Sequence, residues 1–195
     1  MKNVLLELLS TQPKVGEVTF LAIDGHGGSG KSTFAKLLAQ KIGAEIIHTD
    51  DFVNWKNLLN WGSRVKEEVF DPIQHGVKCL SYQPTSWWEN HNPEPIQNQL
   101  VTGIMILEGV GSSRKEFDEY ISYRIFVDTS KEVCLERGLN RDSGTGKSRE
   151  EITKIWEDWF REEEEYMQND DPIIKADLVI DGTKPFEDQI SFETN

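Results

Sequence analysis

Apolar runs of strand type alternate with segments of helical spacing along most of this chain. Val18–Asp24, Ala44–Thr49, Gly103–Glu108, Tyr123–Asp128 and Leu178–Ile180 are short, apolar and rich in β-branched residues, and read as strands. Ser32–Ile42, Lys131–Asn140 and the long acidic stretch Arg149–Met167 carry apolar residues at helical intervals. Val4, Leu5, Leu8 and Leu9 make one face of a short N-terminal helix that packs on the domain. This order predicts an α/β protein, doubly wound in three α/β/α layers around a mainly parallel five-stranded sheet. A chain of 195 residues suits one such domain. Residues 53–100 break the rhythm with Trp55, Trp61, Trp87, Trp88 and four of the seven prolines. They read as an excursion between two sheet strands that covers a substrate, not as a second domain. Glu162–Glu165 reads as the solvated part of the last helix.

Between the first strand and the first helix lies Gly25-His26-Gly27-Gly28-Ser29-Gly30-Lys31-Ser32, followed by Thr33. This is a complete G-x-x-x-x-G-K-[ST] phosphate loop, the mark of a P-loop NTPase. A glycine-rich turn entering a helix can aim backbone N–H groups at a polyphosphate. Lys31 would reach the outer phosphates, and the Ser32 hydroxyl would hold Mg²⁺, so the cofactors expected are ATP and Mg²⁺.

Ligands of open α/β sheets bind beyond the carboxyl ends of the strands. Acidic residues fall there at Asp50 and Asp51, at Glu108 and at Asp128. Phosphoryl transfer to a hydroxyl uses one carboxylate to orient or deprotonate the acceptor and another to hold Mg²⁺ or its waters. Asp50 suits the first role, with Asp51 left open as the base, and Glu108 suits the second. Asp128 reads as a helix cap. Arg137, Arg141 and Arg149 flank a Gly-rich turn that predicts a short helical lid at about 137–150, closing over the transferring phosphate. Gly144-Thr-Gly-Lys-Ser148 is no second phosphate loop, because its first glycine would fall on Arg141. Ile174-Lys-Ala-Asp177 lacks the residue expected of a guanine-reading motif. The four histidines have no metal-ligand spacing, and His26 and His48 read as structural.

The formal net charge of −13 disfavours nucleic acid and anionic membranes as partners. Two cysteines make no disulfide framework, and Glu7 interrupts the apolar N-terminus, so a cytoplasmic protein without a signal peptide is expected. The partner expected is a small-molecule substrate. A homo-oligomer stays open.

With these residues in place, the chain resembles the uridine kinase and phosphoribulokinase group of P-loop kinases, and within it small bacterial uridine kinase-like proteins. Ile23–Thr33 is similar to the group's phosphate loop, His48-Thr-Asp-Asp-Phe52 to its strand-end Asp-x-Phe motif, and Ile106-Leu-Glu-Gly109 to its acidic strand end. Phe126–Thr129 with Arg137 and Arg141 looks like its approach to the lid, and Ala176–Ile180 like its last strand, after which the chain passes the adenine. The resemblance implies ATP-dependent phosphorylation of a small hydroxyl compound, a nucleoside first, with Asp50 as base. Arg64 and Tyr82, in the excursion, are candidate substrate contacts. The chain departs from the group's pattern at Val53, where a Tyr is usual, at Tyr82-Gln-Pro84, and in a short lid with fewer arginines. Other acceptors, such as pantothenate-like or sugar compounds, and a non-catalytic ATP-binding regulatory module are the alternatives. A standalone ATPase ranks last.

Overall fold

The computed structural model describes residues 2–3, 7–8, 10–54, 60–85 and 94–191. Trp55, Trp87, Trp88, Val4, Leu5 and Leu9 fall outside them. Five strands form one parallel sheet: β1 (Thr19–Asp24), β2 (Glu45–His48), β5 (Ile104–Glu108), β6 (Ile121–Asp128) and β7 (Leu178–Asp181), in the order β2-β5-β1-β6-β7. Each is one of the segments that the apolar runs predicted. Every residue of the central strand β1 is buried. Its side chains alternate between faces: Phe20 and Ala22 enter one apolar cluster, Leu21 and Ile23 another. The sheet is therefore covered on both sides, as parallel sheets require.

Helix α1 (Lys31–Ile42) covers one face through Phe34, Ala35, Leu38 and Ala39, joined there by Leu8. The other face is covered by the excursion. Gly62–Val65, Lys66–Phe70 and Asp71–Gln74 form one continuous helical stretch, α2, whose middle turn is a π turn. Val65, Val69, Phe70 and Ile73 from α2 pack with Phe20 and Met105. An antiparallel hairpin, β3 (Cys79–Tyr82) with β4 (Gln97–Leu100), adds Leu80 and Tyr82 to the same cluster. Trp61 is fully buried there against Phe117.

Helices α3 (Lys131–Asp142) and α4 (Arg149–Asp170) stand at the carboxyl end of the sheet. Trp156 of α4 fills the space beside Gly138 of α3, where a Cβ would come within 2.2 Å of the indole. Two sequence expectations change here. The cap of α3 is Ser130, whose hydroxyl accepts from the Val133 amide, and not Asp128, because capping requires the residue directly before the first helical one. Glu162–Glu165 is not wholly solvated, since Glu163 is 3% exposed. Among the described residues no helix is long and apolar enough to cross a membrane.

Candidate active site

The loop from Gly25 to Gly30 turns sharply between β1 and α1, and glycine is required at its tightest points. Gly25 has φ 142 and Gly28 has φ 79. A Cβ would meet the Val127 carbonyl at 2.4 Å at the first and the Cys134 carbonyl at 2.5 Å at the second. The loop thus lies directly on β6 and α3 and leads into the positive N-terminal end of α1. Thr129 Oγ1 donates to the Ser29 carbonyl at 3.0 Å. Lys31, 7% exposed, donates from Nζ to the His26 carbonyl at 2.8 Å, which holds the ammonium over the loop.

Lys31, Ser32, Asp50, Glu108 and Arg141 border one cleft of about 350 Å³, walled on the α4 side by Ile155, Trp156 and Trp159. The register explains the convergence. His48 and Ile23 both stand level with Glu108, so the chain leaving β2, the chain leaving β1 and the end of β5 meet at one edge. Ser32 Oγ donates to Glu108 Oε1 at 3.1 Å, and His48 Nδ1 lies 2.6 Å from Glu108 Oε2. Burial favours the protonated form of Glu108, yet the His48 bond, the Lys31 charge and the Ser32 hydroxyl outweigh it and hold the carboxyl below its ordinary value. The bond to Glu108 raises His48, against its own partial burial. A hydroxyl and an ionised carboxylate side by side are hard oxygen donors that fit Mg²⁺, which takes few protein ligands and completes its shell with phosphates and water.

Asp50 sits in the short 3₁₀ turn Thr49–Asp51 that ends β2. Its side chain is open to the cleft. Desolvation by the surrounding walls raises its pKa above the ordinary carboxylate value, with Lys31 opposing and Glu108 reinforcing. Asp51 turns the other way, taking the Tyr82 hydroxyl at 2.9 Å. Of the two candidate bases only Asp50 borders the cleft.

A second space of about 350 Å³ shares Gly28, Lys31, Ser32 and Arg141 with the first and continues to Gly182 and Phe186. Arg137 borders it. Its guanidinium donates to the carbonyls of Gly28 and Ser29, both at 3.3 Å, and of Gly182 at 3.0 Å. Arg141 pairs with Asp142 at 2.8 Å and lies over the Trp156 ring. Arg149 opens α4 on the exposed surface behind the Ser148 capping box.

Arg64 and Tyr82, expected as substrate contacts, lie outside the lining of the Asp50 cleft. Arg64 is tied to Glu68, at 2.8 and 3.0 Å, to the Gln83 carbonyl and to Thr85, and it covers the Phe52 ring. Tyr82 stacks on Phe52. Both hold the hairpin against the turn that presents Asp50.

Sequence reasoning missed Asp24, Trp159, Glu163 and Tyr166. Asp24 is fully buried and accepts from the amides of Gly25, Gly111 and Ser113 and from the Tyr166 hydroxyl, at 2.7 to 3.2 Å. Burial pushes its pKa up, against those donors. Glu163 accepts from the Gly27 amide and pairs with His26. The signal for these residues was present. Ile152, Trp156, Trp159, Glu163 and Tyr166 recur at alternating intervals of four and three, so Glu163 occupies a core position of an otherwise apolar stripe.

A parallel sheet whose first crossover carries this loop, with carboxylates at the neighbouring strand ends, defines a P-loop kinase. The description "Phosphoribulokinase / Uridine kinase family" matches residues 81–185, more than half of the chain, and the chain belongs to that family of small-molecule kinases. It is 29% identical over 157 residues to a uridine kinase of Pasteurella multocida, covering 69% of this chain and 72% of that protein. It is 29% identical over 150 residues to a uridine kinase of Schizosaccharomyces pombe, covering 67% of this chain but only 33% of the relative. The fold is similar to that of a possible uridine kinase from Bacillus stearothermophilus, with a TM-score of 0.64 at 20% identity, over 91% of this chain and 95% of the other.

Proposed function

We propose that this protein transfers the γ-phosphoryl group of ATP to a hydroxyl of a small metabolite, with a nucleoside as the first acceptor to test. The observation that carries the reading is the cleft in which Lys31, Ser32, Glu108 and Asp50 converge beside the amides of the loop. The uridine kinases among its relatives favour the nucleoside.

In this reading the triphosphate lies along Gly25–Thr33 and the nucleoside of ATP occupies the space by Gly182 and Phe186, on the β6–β7 flank. Lys31 exchanges the His26 carbonyl for phosphate oxygen. Arg137 and Arg141 carry positive charge to the same loop, and charge stabilisation of this kind dominates phosphoryl transfer. Ser32 and Glu108 would hold Mg²⁺, which supplies charge neutralisation at the outer phosphates when bound. The acceptor enters the other cleft, on the β2–β5 flank, between Asp50 and the tryptophan wall. Asp50 takes the hydroxyl proton as its oxygen attacks phosphorus, and the raised pKa suits a carboxylate asked to receive a proton.

The test is an ADP-release assay across nucleosides, pantothenate-like alcohols and sugars, with Asp50→Asn as control. Release that rises with a nucleoside and vanishes in the variant supports the reading. ATP binding with no acceptor-stimulated release by any compound would leave a nucleotide-binding module instead.

A further inference from the structure

One face of α4 grips the phosphate loop on both sides of Gly25. Glu163 Oε1 accepts from the Gly27 amide at 3.0 Å and from the Trp159 indole N–H. Its Oε2 stands 2.8 Å from His26 Nδ1 and 3.2 Å from the Gly27 amide. One turn further on, the Tyr166 hydroxyl donates to Asp24 Oδ2 at 2.7 Å. The packing is close, since a Cβ on Gly27 would come within 3.0 Å of Glu163 and 3.1 Å of the Trp156 ring.

A carboxylate so deeply buried is costly unless donors converge on it. Here an amide of the loop, a side chain of the loop and the indole of a cleft-wall residue do so. Trp159 also borders the cleft beside Asp50. One side chain therefore joins the wall facing the acceptor to the loop facing the phosphates.

We propose that Glu163 is a positioning residue for phosphoryl transfer. It fixes His26 and Gly27 so that the loop keeps its shape when Lys31 leaves the His26 carbonyl, and it sets the distance from the Trp159 wall to the phosphates. The proposal rests on the kinase reading above. Phosphoryl transfer depends largely on alignment, and a displacement of about 1 Å can cost about 10²-fold in rate.

Glu163→Gln and Glu163→Ala test it. Gln keeps an oxygen for Gly27 and Trp159 and offers an N–H to His26 Nδ1 in its neutral acceptor form, whereas Ala removes every contact. The readouts are Mg·ATP affinity by calorimetry without acceptor, kcat and KM with an accepted substrate, and melting temperature. Ala is expected to weaken ATP about tenfold, because the unbraced loop must then be ordered when the phosphates bind. It should also lower kcat about 10²-fold, with acceptor KM changed less than about threefold. Gln should stay within about threefold of the parent in each. If Ala does not fold, Glu163→Asp, which withdraws the charge by one methylene, takes its place with the same expectations. Parental ATP affinity and kcat in Ala, at whatever melting temperature, would reduce Glu163 to a structural brace and overturn the proposal, as would a Gln variant as impaired as Ala. A parent that binds ATP and phosphorylates nothing would remove the kinase reading, and the affinity comparison would still decide the role of Glu163.

Discussion

Ser32 Oγ donates to Glu108 Oε1 across 3.1 Å although 76 residues separate them in sequence. The parallel pairing of β1 with β5 makes the contact, because Ile23 stands level with Glu108 and the loop then returns Ser32 above it. Both oxygens are committed to this point before any ligand arrives. Glu108→Gln should raise the Mg²⁺ concentration for half-maximal turnover by about 10- to 100-fold, the usual effect of altering a metal's supporting groups. A Mg²⁺ titration of activity measures it, and an unchanged midpoint would remove Glu108 from the metal's surroundings.

In the proposed transfer Asp50 and Lys31 act on different parts of the reaction. Asp50→Asn keeps the shape and removes the proton acceptor, so kcat should fall about 10²- to 10⁴-fold while ATP affinity is retained. Lys31→Ala should nearly abolish turnover and weaken ATP as well. Paired measurements of ADP release and ATP binding separate the two. Undiminished phosphorylation by the Lys31→Ala protein would defeat the assignment of the loop.

His48 and Glu108 bind each other more tightly as ions, which gives the ligand-free protein a pH signature. The Glu108 bond lifts His48 above its ordinary 6.5. Stability from that shift is complete below 6.5 and fades as pH climbs through the raised value. Burial opposes ionisation of Glu108, but His48 and Lys31 draw it below 4.5, so its contribution is complete above 4.5 and fades as pH falls through the lowered value. The melting-temperature gap between the parent and His48→Gln should therefore be widest between 4.5 and 6.5 and shrink above neutrality. A gap that widens from about pH 6 to about pH 9 would contradict the pairing.

Gly138 lies in the middle of α3, where replacing glycine by alanine ordinarily stabilises by about 1 kcal/mol. Here the added methyl would meet the Trp156 ring at 2.2 Å. Overpacking of a filled site costs about 1–3 kcal/mol, so Gly138→Ala should lower the melting temperature. Melting at or above the parent's temperature would mean that the indole has room to yield.

The sheet and the loop were legible because their signals are local. Phe20–Ile23 is apolar throughout, as the middle of a strand covered on both faces must be, and the Gly-rich run after it has a spacing tied to its backbone shape. That Asp50 and Glu108 border one cleft could be foreseen because they end neighbouring strands of a parallel sheet. Glu163 was hidden by its neighbours. Four glutamates in a row read as a solvated face, and only the apolar stripe from Ile152 to Tyr166 shows that one of them points inward. Asp128 and Ser130 are both of capping type two positions apart, and with the helix starting at Lys131, as its spacing predicts, only Ser130 stands directly before it. Arg64 was read through its place in the excursion, whereas its partner Glu68 stands one helical turn away at i+4.

The loop lies on the middle strand, with Asp50 and Glu108 on one flank of the sheet and Gly182 on the other. For the proposed transfer this is a chamber with two doors. Neither guest crosses the other's threshold, so initial-rate lines for the two substrates should intersect, and either product can depart first.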